Sequence, residues 1–172
     1  QVVTPKEIHD LEPNIKPIYN GGVYYQHGRH ARNPKKILLK LYDLFLKKGG
    51  KFLKMNIKDI NFDNEKPVIK SETQSFLFDK IVIACGSFSK KLTDNLDERI
   101  PLDTERGYHV HFKDCDHLLS RPVIFQNRGF GITPMEQGLR VVGTVEFGGL
   151  DNPPSKSRIK NLINNAKYIM GD

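Results

Sequence analysis

The stretch Phe130-Gly-Ile-Thr-Pro-Met-Glu-Gln-Gly-Leu-Arg-Val-Val-Gly-Thr-Val-Glu-Phe147 decides the fold. Two β-rich runs, 130–133 and 139–147, flank a hairpin-sized connection from Pro134 to Gly138, which predicts an antiparallel pair. Along the second run, Leu139, Val141, Gly143, Val145 and Phe147 fall on one face. Arg140, Val142, Thr144 and Glu146 fall on the other, so one face is predicted to be core. Upstream, Tyr108, Val110 and Phe112 alternate with Gly107, His109 and His111, and Val123 to Phe125 supplies a further strand. Downstream, Pro153-Pro154-Ser155 introduces a helix with Ile159, Leu162, Ile163, Ala166 and Ile169 on its apolar side, closed by Gly171.

Towards the N-terminus the pattern changes. Pro5, Pro13 and Pro17 allow one short helical turn at Pro5 to Leu11 followed by extended chain, and Val23 to Gln26 has strand character. The plainest helix has Asn33 as its cap and Pro34 in its first position. Its apolar stripe is Ile37, Leu38, Leu41, Leu44 and Phe45, and Gly49-Gly50 stops it. A β-meander then follows: Leu53, Met55 and Ile57, a phase change through Ile60 and Phe62, a turn at Asp63-Asn64-Glu65, and strands at 67–70 and 76–78. Ile81-Val-Ile-Ala-Cys85 is apolar at every position and is predicted to be a parallel-sheet strand covered on both faces, with a helix at 89–96 beyond it. The fold class is α+β: a mostly antiparallel sheet with helices, plus α/β segments.

The 172 residues are 38% hydrophobic and 27% charged, an ordinary globular balance with no apolar run long enough to span a membrane. The formal charge of +7 is spread over lysine pairs on solvated faces, without interleaved aromatics, so nucleic acid is not an expected partner. Two cysteines without paired spacing, Cys85 and Cys115, suit a reducing compartment, and the cytoplasm is the expected location. The chain starts at Gln1 and stops just after a helical pattern, which raises the expectation of a piece of a longer protein.

Candidate chemistry is sparse. The phosphate-cradling GxGxxG and GxxxxGK[ST] patterns and the GxSxG elbow are absent. His109, His111, Cys115 and His117 lack the grammar of a zinc site and read as surface or hydrogen-bonded groups, so no metal is expected. Ala84-Cys85-Gly86, between a predicted buried strand and a helix start, is a place where a backbone amide can meet a cofactor, although packing alone accounts for such junctions in many folds. Arg106, Tyr108 and Arg140 could hold a carboxylate, since arginine offers a planar fork and tyrosine a hydroxyl. The plainer alternative is solvated or ion-paired strand residues.

Several segments, taken in order, resemble one family. They are Leu11-Glu-Pro13, Gly21-Gly-Val23, Asn33-Pro34, Lys48-Gly-Gly50, Lys80-Ile-Val-Ile-Ala-Cys-Gly-Ser-Phe-Ser89, Ile100-Pro-Leu102, Glu105-Arg-Gly-Tyr-His-Val110 and Ile132-Thr-Pro134 through Glu146. The chain is similar to the FAD-dependent D-amino acid oxidase and dehydrogenase family, which includes glycine oxidase and sarcosine oxidase, and within it to the D-amino acid dehydrogenase small-subunit branch. The resemblance implies the central part of such an enzyme, with the flavin-domain segments in 1–97 and the substrate-binding sheet and helix in 98–172. It implies FAD in the intact protein, with Ala84, Cys85 and Gly86 near the flavin nucleotide and Arg106, Tyr108 and Arg140 towards an amino acid or amine substrate. Gly131 falls near an active-site tyrosine of the family. The implied reaction is hydride transfer to flavin, with the missing flanking segments as partners; severed from those flanks, the apolar run Ile81 to Cys85 is expected to leave apolar surface exposed and so to cause self-association or a rearranged edge. An inactive isolated chain is expected, and the other readings are a non-catalytic binding domain of the same fold and another flavin enzyme such as a glycerol-3-phosphate dehydrogenase.

Overall fold

A computed structural model describes residues 1–171. In chain order the elements are β1 (Val2–Val3), α1 (Pro5–Leu11), β2 (Gly22–Val23), α2 (Pro34–Lys47), β3 (Ile57–Asp63), β4 (Lys66–Ser71) and β5 (Ser75–Leu77). They continue with α3 (Ser89–Asp94), β6 (Arg106–Lys113), β7 (Val123–Phe125), β8 (Phe130–Met135), β9 (Gly138–Glu146) and α4 (Lys156–Met170). The chain divides into two compact units. The first holds Gln1–Tyr42, Arg106–Phe147 and the segment from Asn152 onward; the second holds Asp43–Glu105 and Gly148–Asp151, the division falling within α2.

The first unit is built on a four-stranded antiparallel sheet in the order β6-β9-β8-β7. The central hairpin is tighter than its sequence predicts: β8 and β9 pair from Gly131–Val142 to Met135–Gly138, leaving only Glu136 and Gln137 in the turn. One face carries Tyr108, Phe130, Ile132, Leu139 and Val141, which form a single core with Ile15, Leu119 and the α4 residues Leu162, Ala166 and Ile169. Burial of those apolar side chains is the main driving force for this layer.

The expected face assignment of β9 holds only in its first half. Tyr108 lies opposite Thr144 while His109 lies opposite Val142, so Gly143 has no partner and forms a bulge. Beyond it the phase inverts. Thr144 and Glu146 turn to the α4 side, whereas Val145 and Phe147, expected in the core, are 45% and 76% exposed. Only glycine fits the bulge: a Cβ at position 143 would lie 2.4 Å from both the Gly129 carbonyl oxygen and the Phe130 Cα.

At the N-terminus α1 runs for two turns rather than one, because a capping box closes its start: Glu7 N donates to Thr4 Oγ1 and Thr4 N donates to Glu7 Oε2. The expected strand at 23–26 shrinks to β2, which pairs with β1. After α1, Glu12 is buried, accepts from Ser120 N and Ser120 Oγ, and forms an ion pair with Arg121 at 2.9 Å. This carboxylate ties the first segment to the chain entering β7.

The second unit contains the meander β3-β4-β5, with its tight turn at Asn64 and Glu65, both at positive φ. The meander begins at Ile57, later than the alternation from Leu53 predicts. The expected parallel strand at Ile81–Cys85 is not formed. A strand exists only through a hydrogen-bonded neighbour, and none of the described strands pairs with this segment, which leaves Val82 90% exposed.

Candidate functional site

The two faces of the β6-β9-β8-β7 sheet have opposite characters. On the α4 face, Arg106 and Tyr108 converge on one carboxylate. Tyr108 Oη donates to Glu146 Oε2 at 2.5 Å, and Arg106 Nη1 lies 3.6 Å from the same oxygen. The Tyr108 oxygen also accepts from Ser155 N at 2.7 Å, at the N-cap of α4, and Arg158 Nη1 donates to Thr144 Oγ1 at 2.6 Å. Of the three residues predicted to meet a substrate, Tyr108 bridges the sheet to the start of α4, and Arg106 pairs with Glu146 of β9 beside it.

Arg140 lies on the other face, brought there by simple alternation from the buried Leu139 and Val141. The register places His111, Arg140 and Thr133 in one row across β6, β9 and β8. A second row holds His109, Val142, Gly131 and Ile124, the last being 78% exposed. One row is thus polar and cationic, the other mainly small and apolar. The His109 and His111 rings stand edge to face with centroids 5.4 Å apart. Arg140 Nε is buried with no hydrogen-bond partner, and among the described residues no carboxylate lies within ion-pair distance of its guanidinium. The His109 imidazole is held below its ordinary pKa, chiefly by desolvation, then by the charge of Arg140 and by His111.

A guanidinium without a counter-charge on an open sheet face is suited to accept a carboxylate in two parallel hydrogen bonds. Sequence reasoning named Arg140 but not Thr133, its cross-strand neighbour. The signal was present: a two-residue turn at Glu136-Gln137 fixes Thr133 opposite Arg140.

At the edge of this face a further carboxylate anchors the hairpin. Glu136 accepts from Asn33 Nδ2 at 2.5 Å and forms an ion pair with Lys36 Nζ, both at the start of α2. These contacts hold the Glu136 carboxyl below the usual range, the Lys36 hydrogen bond contributing most.

In the second unit, Ala84, Cys85 and Gly86 are all exposed, and the backbone turns at Gly86 with φ +57 into a single 3-10 turn ending at Phe88. A Cβ at position 86 would meet nothing within 4 Å. The backbone at Gly86 is thus open to approach by a planar group, which meets no side chain at that position. No glycine-rich phosphate loop accompanies it among the described residues. Nor does any group of three or more His, Cys, Asp or Glu there gather as metal ligands, and no helix is long and apolar enough to cross a membrane.

The family model for FAD dependent oxidoreductases of the DAO type matches residues 1–172. Over 157 residues the chain is 29% identical to the D-amino-acid oxidase of Bradyrhizobium diazoefficiens, covering 91% of this chain and 37% of that protein. Over 165 residues it is 21% identical to the glycine oxidase of Pseudomonas putida, covering 94% of this chain and 45% of that protein. The crystal structure of glycine oxidase from Geobacillus kaustophilus superposes on all of this chain and 46% of its own with a TM-score of 0.85 at 21% identity. The chain spans less than half the length of the curated relatives it matches.

Proposed function

The chain belongs to the FAD dependent oxidoreductase family, and from that premise we propose that it supplies the substrate-facing sheet of an enzyme oxidising an amino acid or related amine. Arg140 receives the substrate carboxylate, with the Thr133 hydroxyl beside it. The apolar row of Val142, Gly131 and Ile124 lies under the rest of the molecule. Holding the carboxylate at one fixed point orients the substrate Cα–H, and such positioning is a large part of what a protein contributes to this chemistry. Arg106 and Tyr108 act indirectly, by keeping the sheet and α4 in register through Glu146. The exposed backbone at Ala84, Cys85 and Gly86 would line the flavin nucleotide, whose bound ring supplies the two-electron acceptor.

The observation that carries this reading is Arg140 on an open sheet face with no acidic partner. The complete gene product, isolated with its flavin, is expected to bleach anaerobically with an amino acid substrate. Arg140→Lys, which keeps the charge but loses the fork, is expected to raise KM by about tenfold or more, with a smaller effect on kcat. Unchanged KM in that variant would remove Arg140 from the site. The 172-residue chain expressed alone is expected to be colourless and inactive; a yellow preparation that reduces a dye with D-amino acids would contradict this.

A further inference from the structure

Arg140 alone suffices to hold one carboxylate, yet the same face presents more hydrogen-bond donors than one carboxylate needs. His111 lies directly across from Arg140, and His109 follows two residues earlier with its ring 5.4 Å from that of His111. Two imidazoles beside Arg140 bring ring N–H donors to the same face, and an anion lying among them would offset the Arg140 charge. No acidic residue of the described chain fills that role: the ion pairs at Glu136, Asp116 and Glu146 engage Lys36, Arg32 and Arg106 instead. Each histidine is exposed and on the same side of the sheet as Arg140, so a ligand has access to all three.

Resting on the proposed role of Arg140, we infer that this face takes a substrate with two acidic groups, an amino dicarboxylate, one carboxylate on Arg140 and the second on the His109–His111 pair. The two histidines set specificity. They line the β6 side of the row, whereas the apolar Val142 and Ile124 offer nothing to a second charge on the other side. A bound carboxylate would also offset the repulsion from Arg140 that opposes protonation of His109.

The test is calorimetric titration of the complete flavin-containing gene product with butyrate and with succinate, at fixed pH and salt. Succinate is expected to bind about tenfold tighter than butyrate. The double variant His109→Gln/His111→Gln is expected to lose that preference while keeping butyrate affinity within about twofold, because the Arg140 contact is untouched. Both positions are exposed, and an unchanged circular dichroism spectrum verifies that the variant is folded. Equal binding of the two ligands in the unmodified protein overturns the inference, as does a preference that survives the double substitution. If butyrate binds without a succinate preference and Arg140→Lys weakens it, only the two-carboxylate inference fails. If neither ligand binds, or Arg140→Lys changes neither affinity, the assignment of Arg140 fails as well.

Discussion

The Tyr108 hydroxyl and the Glu146 carboxylate are joined at 2.5 Å across the bulged β6–β9 pair, and the same hydroxyl receives the Ser155 amide at 2.7 Å. One oxygen therefore links two strands to the start of α4. Tyr108→Phe leaves Ser155 N and Glu146 without that partner in a half-buried setting. It is expected to destabilise the protein by about 1–3 kcal/mol, read as a lower urea midpoint. An unchanged midpoint would show that the hydroxyl does not hold the helix.

Gly143→Ala places a methyl group 2.4 Å from backbone atoms of Gly129 and Phe130. The β8–β9 pair must open to admit it, at a cost of about 1–3 kcal/mol or more. Gly107→Ala is the control, since a Cβ there meets nothing within 4 Å. Equal thermal midpoints for the two variants would refute the close approach.

Glu12→Ala removes the buried acceptor shared by Ser120 N and Ser120 Oγ and the ion-pair partner of Arg121. A loss of about 2 kcal/mol is expected. Faster hydrogen exchange at the Ser120 amide would accompany it, and exchange as slow as in the unmodified protein would argue that Glu12 is not its acceptor.

Acidification acts through His109 first. Its folded-state pKa lies below the ordinary 6.5, so in that range the unfolded chain binds more protons than the folded one. Stability is therefore retained above pH 6.5 and lost as pH falls through the histidine range. Glu136 acts in the same direction at lower pH: its depressed carboxyl favours the folded state above 4.5, and the contribution fades as pH falls further. Urea midpoints are expected to drop between pH 7.5 and 5.5, and to drop less in His109→Gln; a rise on acidification contradicts the assignment.

None of the α2 residues is buried, and Leu38 and Leu41 are 66% and 59% exposed on its stripe. Expressed alone, the 172-residue chain is expected to self-associate, and Leu38→Glu/Leu41→Glu to reduce the association, both read by sedimentation velocity. A monomer at high concentration would show that this stripe is not adhesive.

Elements governed by local chemistry were legible in the sequence. Asn33-Pro34 and Gly49-Gly50 bound α2 because a cap, a fixed φ and a stop act within a few residues. The alternation in β6 and the apolar stripe of α4 likewise gave the sheet and its cover. Two errors arose where the deciding partner is remote in the chain. Ile81–Cys85 has the composition of a buried strand, but a strand requires a neighbour to pair with. Strict alternation in β9 placed Val145 and Phe147 inside, whereas the tight approach of Phe130 to Gly143 inserts an unpaired residue and reverses the pattern. In the candidate site, Arg140 was visible as chemistry, but its separation from Arg106 and Tyr108 was not. That separation depends on the pairing of His111 with Arg140, which puts Arg140 on the opposite side of the sheet from Arg106 and Tyr108.

The extra residue at position 143 also makes the strand tolerant of one particular shortening. Deleting it would leave Val142 opposite His109 and Thr144 opposite Tyr108 in an unbroken ladder, so Thr144 and Glu146 would keep their side of the sheet and the anchor of α4 would survive. Homologues one residue shorter here would thus present the same inside and outside with a straighter strand.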